Sequence, residues 1–217
     1  MEHITDLIKT DINKNPYYNE VTLNLMIKCL YNKELLKQMD QTIYVGVCHL
    51  SRYIDYFYKL KEYFDLGINI IELGFGEFPI MSFLIDHEQK NINRGSIHAY
   101  DGSSIEFSNF DIENNWKNKI APLGNINYNF NYIKEYTTLP DYDLIFGIKA
   151  CHGLIDLVKK ANMDKKDFFL VPCDCYPKNF INYLYNLAKN ETTKDQELLI
   201  DDSIEKSFPI LVRRKKQ

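Results

Sequence analysis

The chain has 217 residues, 45% hydrophobic and 26% charged, with 26 Lys and Arg against 30 Asp and Glu for a net charge of −4. This is a globular composition, long enough for one α/β domain with an appended helical segment and too short for two full domains. No apolar run reaches the roughly 18 residues of a membrane span, the polar start Met-Glu-His-Ile-Thr-Asp lacks an export pattern so that the cytoplasm is expected, and the acidic balance argues against gripping nucleic acid by bulk electrostatics.

Apolar residues recur at helical spacing over the first 65 residues: Ile4, Leu7, Ile8 and Ile12, then Val21, Leu25 and Cys29, then Ile54, Phe57, Tyr58, Leu60 and Phe64. That spacing predicts a helical cap over 1–66, with Asn15-Pro16 separating its first two helices. The aromatic stripe Tyr53, Tyr56, Phe57, Tyr58, Tyr63 and Phe64 is expected to pack in the core. From Gly67 the pattern changes to short apolar runs alternating with helical stretches, which defines a second region, 67–217, built from βαβ units. Strands are predicted over 68–73, 97–101, 126–130, 143–148 and 168–171, in the order of a Rossmann-like, doubly wound, mainly parallel sheet. Pro79 falls in the first turn of the helix after the first strand, where its missing N–H costs nothing. Ser103-Ser104-Ile105-Glu106 has capping-box spacing and predicts a helix after the second strand. Residues 191–194 read as an exposed loop and 208–212 as a last strand. The terminal Arg213-Arg214-Lys215-Lys216 is either a basic patch or a solvated tail.

In such a sheet, ligands bind outside the carboxyl ends of the strands, beside the first strand. There the chain reads Glu72-Leu73-Gly74-Phe75-Gly76. Gly74 and Gly76 let the backbone turn sharply and approach a ligand closely, and the next helix points its N-terminus at the same place. Asp101 closes the second strand, where a carboxylate can accept hydrogen bonds from both hydroxyls of a ribose; it is equally placed to cap a helix. A dinucleotide site needs a third glycine, and here Phe78 and Pro79 stand instead. Glu72 adds a carboxylate suited to an ammonium group, which S-adenosylmethionine carries and NAD does not. The expected cofactor is therefore S-adenosylmethionine, held by Glu72, Gly74, Phe75, Gly76, Asp101 and Gly102, with Asn131 and Tyr132 beyond the third strand.

Over residues 68–175 the sequence resembles class I methyltransferases, and more narrowly the aminoglycoside-resistance 16S rRNA (guanine-N7) methyltransferases. The residues that carry the likeness are Gly74-Phe75-Gly76-Glu77-Phe78-Pro79, with a proline after the glycines, His98-Ala99-Tyr100-Asp101, Ile126-Asn127-Tyr128-Asn129-Phe130, Tyr142-Asp143-Leu144-Ile145-Phe146 and Lys149. The resemblance implies methyl transfer to a guanine N7, with RNA or a ribosomal subunit as partner and the N-terminal helices docking it. Members of that family tend to be basic, whereas this chain is acidic. The segment 147–156 with Val171-Pro172-Cys173-Asp174-Cys175 also resembles methyltransferase-like proteins that carry a Gly-Leu-His-Ala-Cys-Gly segment and a later Pro-Cys-Cys. A small-molecule methyltransferase and a catalytically silent partner subunit are the alternatives.

Methyl transfer is an in-line displacement, so the protein mainly positions a nucleophile and displaces water. Groups beside the methyl should come from the end of the fourth strand: Lys149, Ala150, Cys151 and His152. Lys149 would orient a base or phosphate, or else be a solvated lysine. His152 would serve as a base for a hydroxyl or amine substrate, or else start a helix. Cys151 and His152 together with Cys173 and Cys175 raise zinc, but Cys-x-Cys is closer than usual structural spacing, and no metal is expected. Five cysteines at irregular spacing fit reduced thiols.

Overall fold

The computed structural model describes residues 27–40, 44–45, 48–75, 79–89, 94–102, 125–129, 131–150, 153–204 and 208–216. In chain order the elements are α1 (Lys33–Asp40), β1 (Tyr44–Val45), β2 (Cys48–His49), α2 (Leu50–Tyr63), β3 (Ile70–Leu73), α3 (Ile80–Gln89), β4 (Ile97–Tyr100), β5 (Ile126–Asn129), β6 (Leu144–Ala150), α4 (Leu154–Asp164), β7 (Asp167–Pro172), α5 (Phe180–Lys189), β8 (Gln196–Asp201) and β9 (Ile210–Lys215). None of these helices is long and apolar enough to cross a membrane.

Seven strands form one sheet in the order β5-β4-β3-β6-β7-β9-β8. The first five in that order are parallel, β9 runs antiparallel to β7, and β8 runs antiparallel to β9. A dinucleotide-binding sheet ends its order 4-5-6; here the last strand of the chain inserts before the sixth and reverses direction. Every residue of β6 is buried, as expected for a central parallel strand covered on both faces.

Alternate residues of each strand feed two cores. On one face Ile70, Phe146, Ile148, Phe169 and Val212 meet Leu50, Ile54, Phe57, Ile80 and Leu84 from α2 and α3. On the other, Ile71, Leu73, Ile145, Phe168 and Leu211 meet Leu154, Leu157, Val158, Ile181 and Leu184 from α4 and α5. Of the aromatic stripe, Tyr56 and Phe57 are core residues and Tyr53, Tyr63 and Phe64 pack against them, whereas Tyr58 is exposed. Helices therefore cover both faces and leave the strand ends open to build a site.

The five parallel strands lie where the apolar runs predict them, within two residues at each end. Three features depart from expectation. A short β1–β2 hairpin interrupts the helical cap, an edge strand β8 follows the exposed turn, and the first half of the basic C-terminus is held in the sheet, leaving only Lys215 and Lys216 exposed. Arg213 and Arg214 belong to β9, inside the sheet. Arg213 is fully buried: it donates to Asn162 Oδ1 and to the Lys166 carbonyl, each at 2.6 Å, and lies 4.7 Å from the centroid of Phe168. Arg214 donates to Glu197 Oε1 at 2.6 Å and stands over Tyr63. Arg213→Ala would leave both acceptors of its guanidinium unpaired beside a cavity, so chemical unfolding should show a loss of about 3 kcal/mol; a loss below about 0.5 kcal/mol, the usual scale for exposed positions, would put this arginine back at the surface. The N-terminal helices predicted before residue 27 and the helix predicted from 103–106 lie outside the described residues.

Candidate active site

The strand order reverses direction at β3, between β4 and β6, and the carboxyl ends at such a switch point are where a sheet of this kind binds its ligand. Gly74 is the first residue beyond β3. Its φ is 72°, its amide donates to the Tyr100 carbonyl at 2.8 Å, and a Cβ there would stand 2.6 Å from Ala150 Cβ on β6. Both the left-handed backbone and the close approach exclude any side chain.

Two carboxylates frame this turn, each 4% exposed: Glu72 on β3 and Asp101 just past β4. Glu72 Oε2 accepts a hydrogen bond from the Ser82 amide at 2.9 Å, so the acid ties the strand to the first turn of α3, where the helix dipole favours negative charge. Burial nevertheless pushes its pKa up to about 7, with Ser82 opposing and the charge of Asp101 adding to the rise. Asp101 is anchored through its own amide, which donates to the Asn129 carbonyl at 2.9 Å. The Tyr128 hydroxyl is pushed up by burial and by the charges of Glu72 and Asp86.

The remaining expected cofactor residues divide. A Cβ on Gly102 would lie 2.4–2.6 Å from three atoms of the Tyr132 ring, so these two form one corner beside Asp101; Tyr132 is 44% exposed and Asn131 next to it is exposed. Phe75 turns the other way: its side chain is buried in the α2–α3 core, edge-on to Tyr128 at 6.4 Å, and only its backbone lies at the turn. Gly76, Cys151 and His152 lie outside the described residues.

Lys149 is not the solvated surface lysine that was one of its two expectations. Its side chain is 1% exposed, with Nζ 2.6 Å from Asp174 Oδ1 and 5.0 Å from the centroid of Phe208. The cause is local: the β6–β7 register shifts between Ile148 and Ala150, and Lys149 adopts a φ of 53°. Asp174 stands out in the sequence only by its flanking cysteines, of which Cys173 is buried and Cys175 exposed. Nothing in the sequence pairs Phe208 with Lys149, 59 positions away, and the Ser82 amide meets Glu72 only because α3 folds back onto β3.

Taken together, the topology and the glycine turn define a Rossmann-like α/β fold of the kind methyltransferases use. No protein-family model and no curated protein matches the chain. Among solved structures it is similar to a methyltransferase from Pyrococcus furiosus, with a TM-score of 0.51 and 17% identity, covering 88% of this chain and 96% of that one. An SAH-bound methyltransferase from Podospora anserina aligns more loosely, with a TM-score of 0.45 and 12% identity over 100% of this chain and 97% of that one. At such identities the likeness is one of fold, and it rests on the first structure.

Proposed function

We propose that the protein is an S-adenosylmethionine-dependent methyltransferase whose cofactor lies across the carboxyl ends of β3 and β4. The observation that carries this reading is the pair of buried acids, Glu72 and Asp101, on either side of a turn that only glycine fits. The charge of Asp101 adds to the cost of ionising the buried Glu72, and a ligand with an ammonium and a sulfonium relieves that cost, whereas a pyrophosphate would add to it. Asp101 would take the ribose hydroxyls, Glu72 would face the ammonium end, Gly74 and Gly76 would admit the ligand backbone, and Gly102, Asn131 and Tyr132 would border its base. When bound, the cofactor supplies a methyl group activated for displacement. The chain's own part is to orient the acceptor and to exclude water.

For the acceptor, we favour a small molecule over ribosomal RNA guanine N7. Arg213 and Arg214, which would have extended a basic face, are consumed inside the sheet. Among the described residues, exposed Lys28, Lys33 and Lys37, with Lys215 and Lys216 at the C-terminus, speak for RNA. Tritiated methyl transfer to cell-extracted metabolites and to ribosomal subunits separates the two, and label on ribosomal RNA would reverse the preference. Asp101→Asn is expected to weaken cofactor binding about 10- to 100-fold, through loss of a charge-assisted hydrogen bond. Unchanged affinity in isothermal titration would remove Asp101 from the site.

A further inference from the structure

The carboxyl edge holds a second polar construction, one strand beyond the cofactor corner. Gly147 faces Leu154 and Leu157 of α4, and Ala150 belongs to the same core. Strand alternation would put residues three apart on opposite faces. The register shift accounts for the difference, with Lys149 as the extra residue in a left-handed conformation. Bulges of this kind re-aim a side chain and concentrate beside active sites, and strained backbone persists where the surroundings enforce it.

What the bulge achieves is an asymmetric ion pair. The Lys149 side chain is 1% exposed and that of Asp174 is 55% exposed, so the ammonium is buried beside Phe208 while the carboxylate is half-exposed just past the carboxyl end of β7. Ala150 pairs with Pro172, the last residue of β7. Asp174 then sits in a tight turn closed by the Tyr176 amide on the Cys173 carbonyl at 3.1 Å. Tyr176, at the end of that turn, stacks on Phe180 with centroids 3.8 Å apart and planes at 4°. A pair needed only for stability would gain more from apolar side chains than from a buried ammonium.

The geometry points to an acceptor-recognition subsite in which Asp174, anchored by Lys149, receives an N–H group of a nitrogen-bearing aromatic acceptor beside the Tyr176–Phe180 stack. A carboxylate only accepts hydrogen bonds, and it does so most strongly from cationic or polarised N–H donors; an anionic acceptor would be repelled. Asp174 and Lys149 are positioning residues: Oδ1 is engaged by the lysine, and the pair fixes the direction in which the carboxylate faces. The word acceptor rests on the methyltransferase reading, but the subsite can be tested without turnover.

The test uses the full chain with two probes, phenethylamine and phenylacetate, titrated by ligand-observed NMR with and without S-adenosylhomocysteine. Phenethylamine is expected to bind at least about ten-fold tighter than phenylacetate, and Asp174→Asn to weaken phenethylamine by about ten-fold while leaving S-adenosylhomocysteine affinity unchanged. Lys149→Met should weaken the amine as well. Asp174→Asn leaves the buried Lys149 ammonium without its counter-charge, so folding of both variants is checked by thermal melting and the comparison of the two probes on the unaltered chain decides the subsite by itself. No amine binding, equal binding of the two probes, or amine binding indifferent to Asp174→Asn would overturn the subsite. Failure of S-adenosylhomocysteine alone to bind would count against the cofactor reading and leave the amine arm to decide the subsite.

Discussion

Gly74→Ala is expected to lower folding stability by about 3 kcal/mol and to abolish cofactor binding, as read by urea unfolding and isothermal titration. The left-handed backbone costs a non-glycine residue roughly 1–2 kcal/mol. Overpacking adds about 1–3 kcal/mol, because the new methyl would lie 2.6 Å from Ala150 Cβ. Ala150 has nowhere to go, being buried on the central strand and paired with Pro172 on β7. Any relief must therefore come from moving the turn itself, which is the part of the molecule that a ligand would touch. A variant with wild-type stability and affinity would show that the turn does not approach β6 as closely as described.

Glu72→Gln is expected to be more stable than the wild type at pH 8 and to lose that advantage near pH 4.5. The sign follows from a folded pKa raised from 4.5 to about 7. Below pH 4.5 the acid is protonated in both states and costs nothing. As pH rises towards 7 the unfolded chain loses its proton first, so folding stability declines, and above about pH 7 the cost is complete, on the order of 3 kcal/mol. Glutamine keeps an oxygen for the Ser82 amide but has no charge to desolvate, so the slope disappears. His98, whose pKa is lowered by burial, acts in the opposite sense, but it is present in both proteins and cancels in the difference. The same variant should bind S-adenosylmethionine about ten-fold more weakly, since the ammonium loses its partner. Urea midpoints taken from pH 4.5 to 8 check the stability arm, and identical pH slopes for the two proteins would contradict the burial of this charge.

The parallel strands and the corner they share were legible in sequence because both rest on local patterns. A buried parallel strand is a short apolar run between turn signals, and a ligand in such a sheet must meet the strand ends, which singles out positions 72, 74 and 101 before any coordinates. What escaped detection depends on distance or on a single backbone irregularity. Arg213 and its neighbours look like a solvated charge run until Asn162 and Lys166, 51 and 47 positions away, are folded against the arginine. The edge strand β8, Gln-Glu-Leu-Leu-Ile-Asp, lacks strict alternation because only Gln196 is buried. One extra residue in β6 turned Lys149 towards Asp174 and Phe208, and no periodicity argument would have found a bulge in a run that is apolar on both faces. Phe75 lay within the cofactor motif, yet its side chain serves the core.

The most direct test of the central claim is isothermal titration of the intact protein with S-adenosylmethionine and, in parallel, with NAD. The buried acids and the glycine turn predict binding of S-adenosylmethionine with a dissociation constant on the order of micromolar, one site per chain, lost in Asp101→Ala and in Gly74→Ala, and no detectable heat with NAD. Tight binding of NAD, or no binding of S-adenosylmethionine by a folded protein, would contradict it.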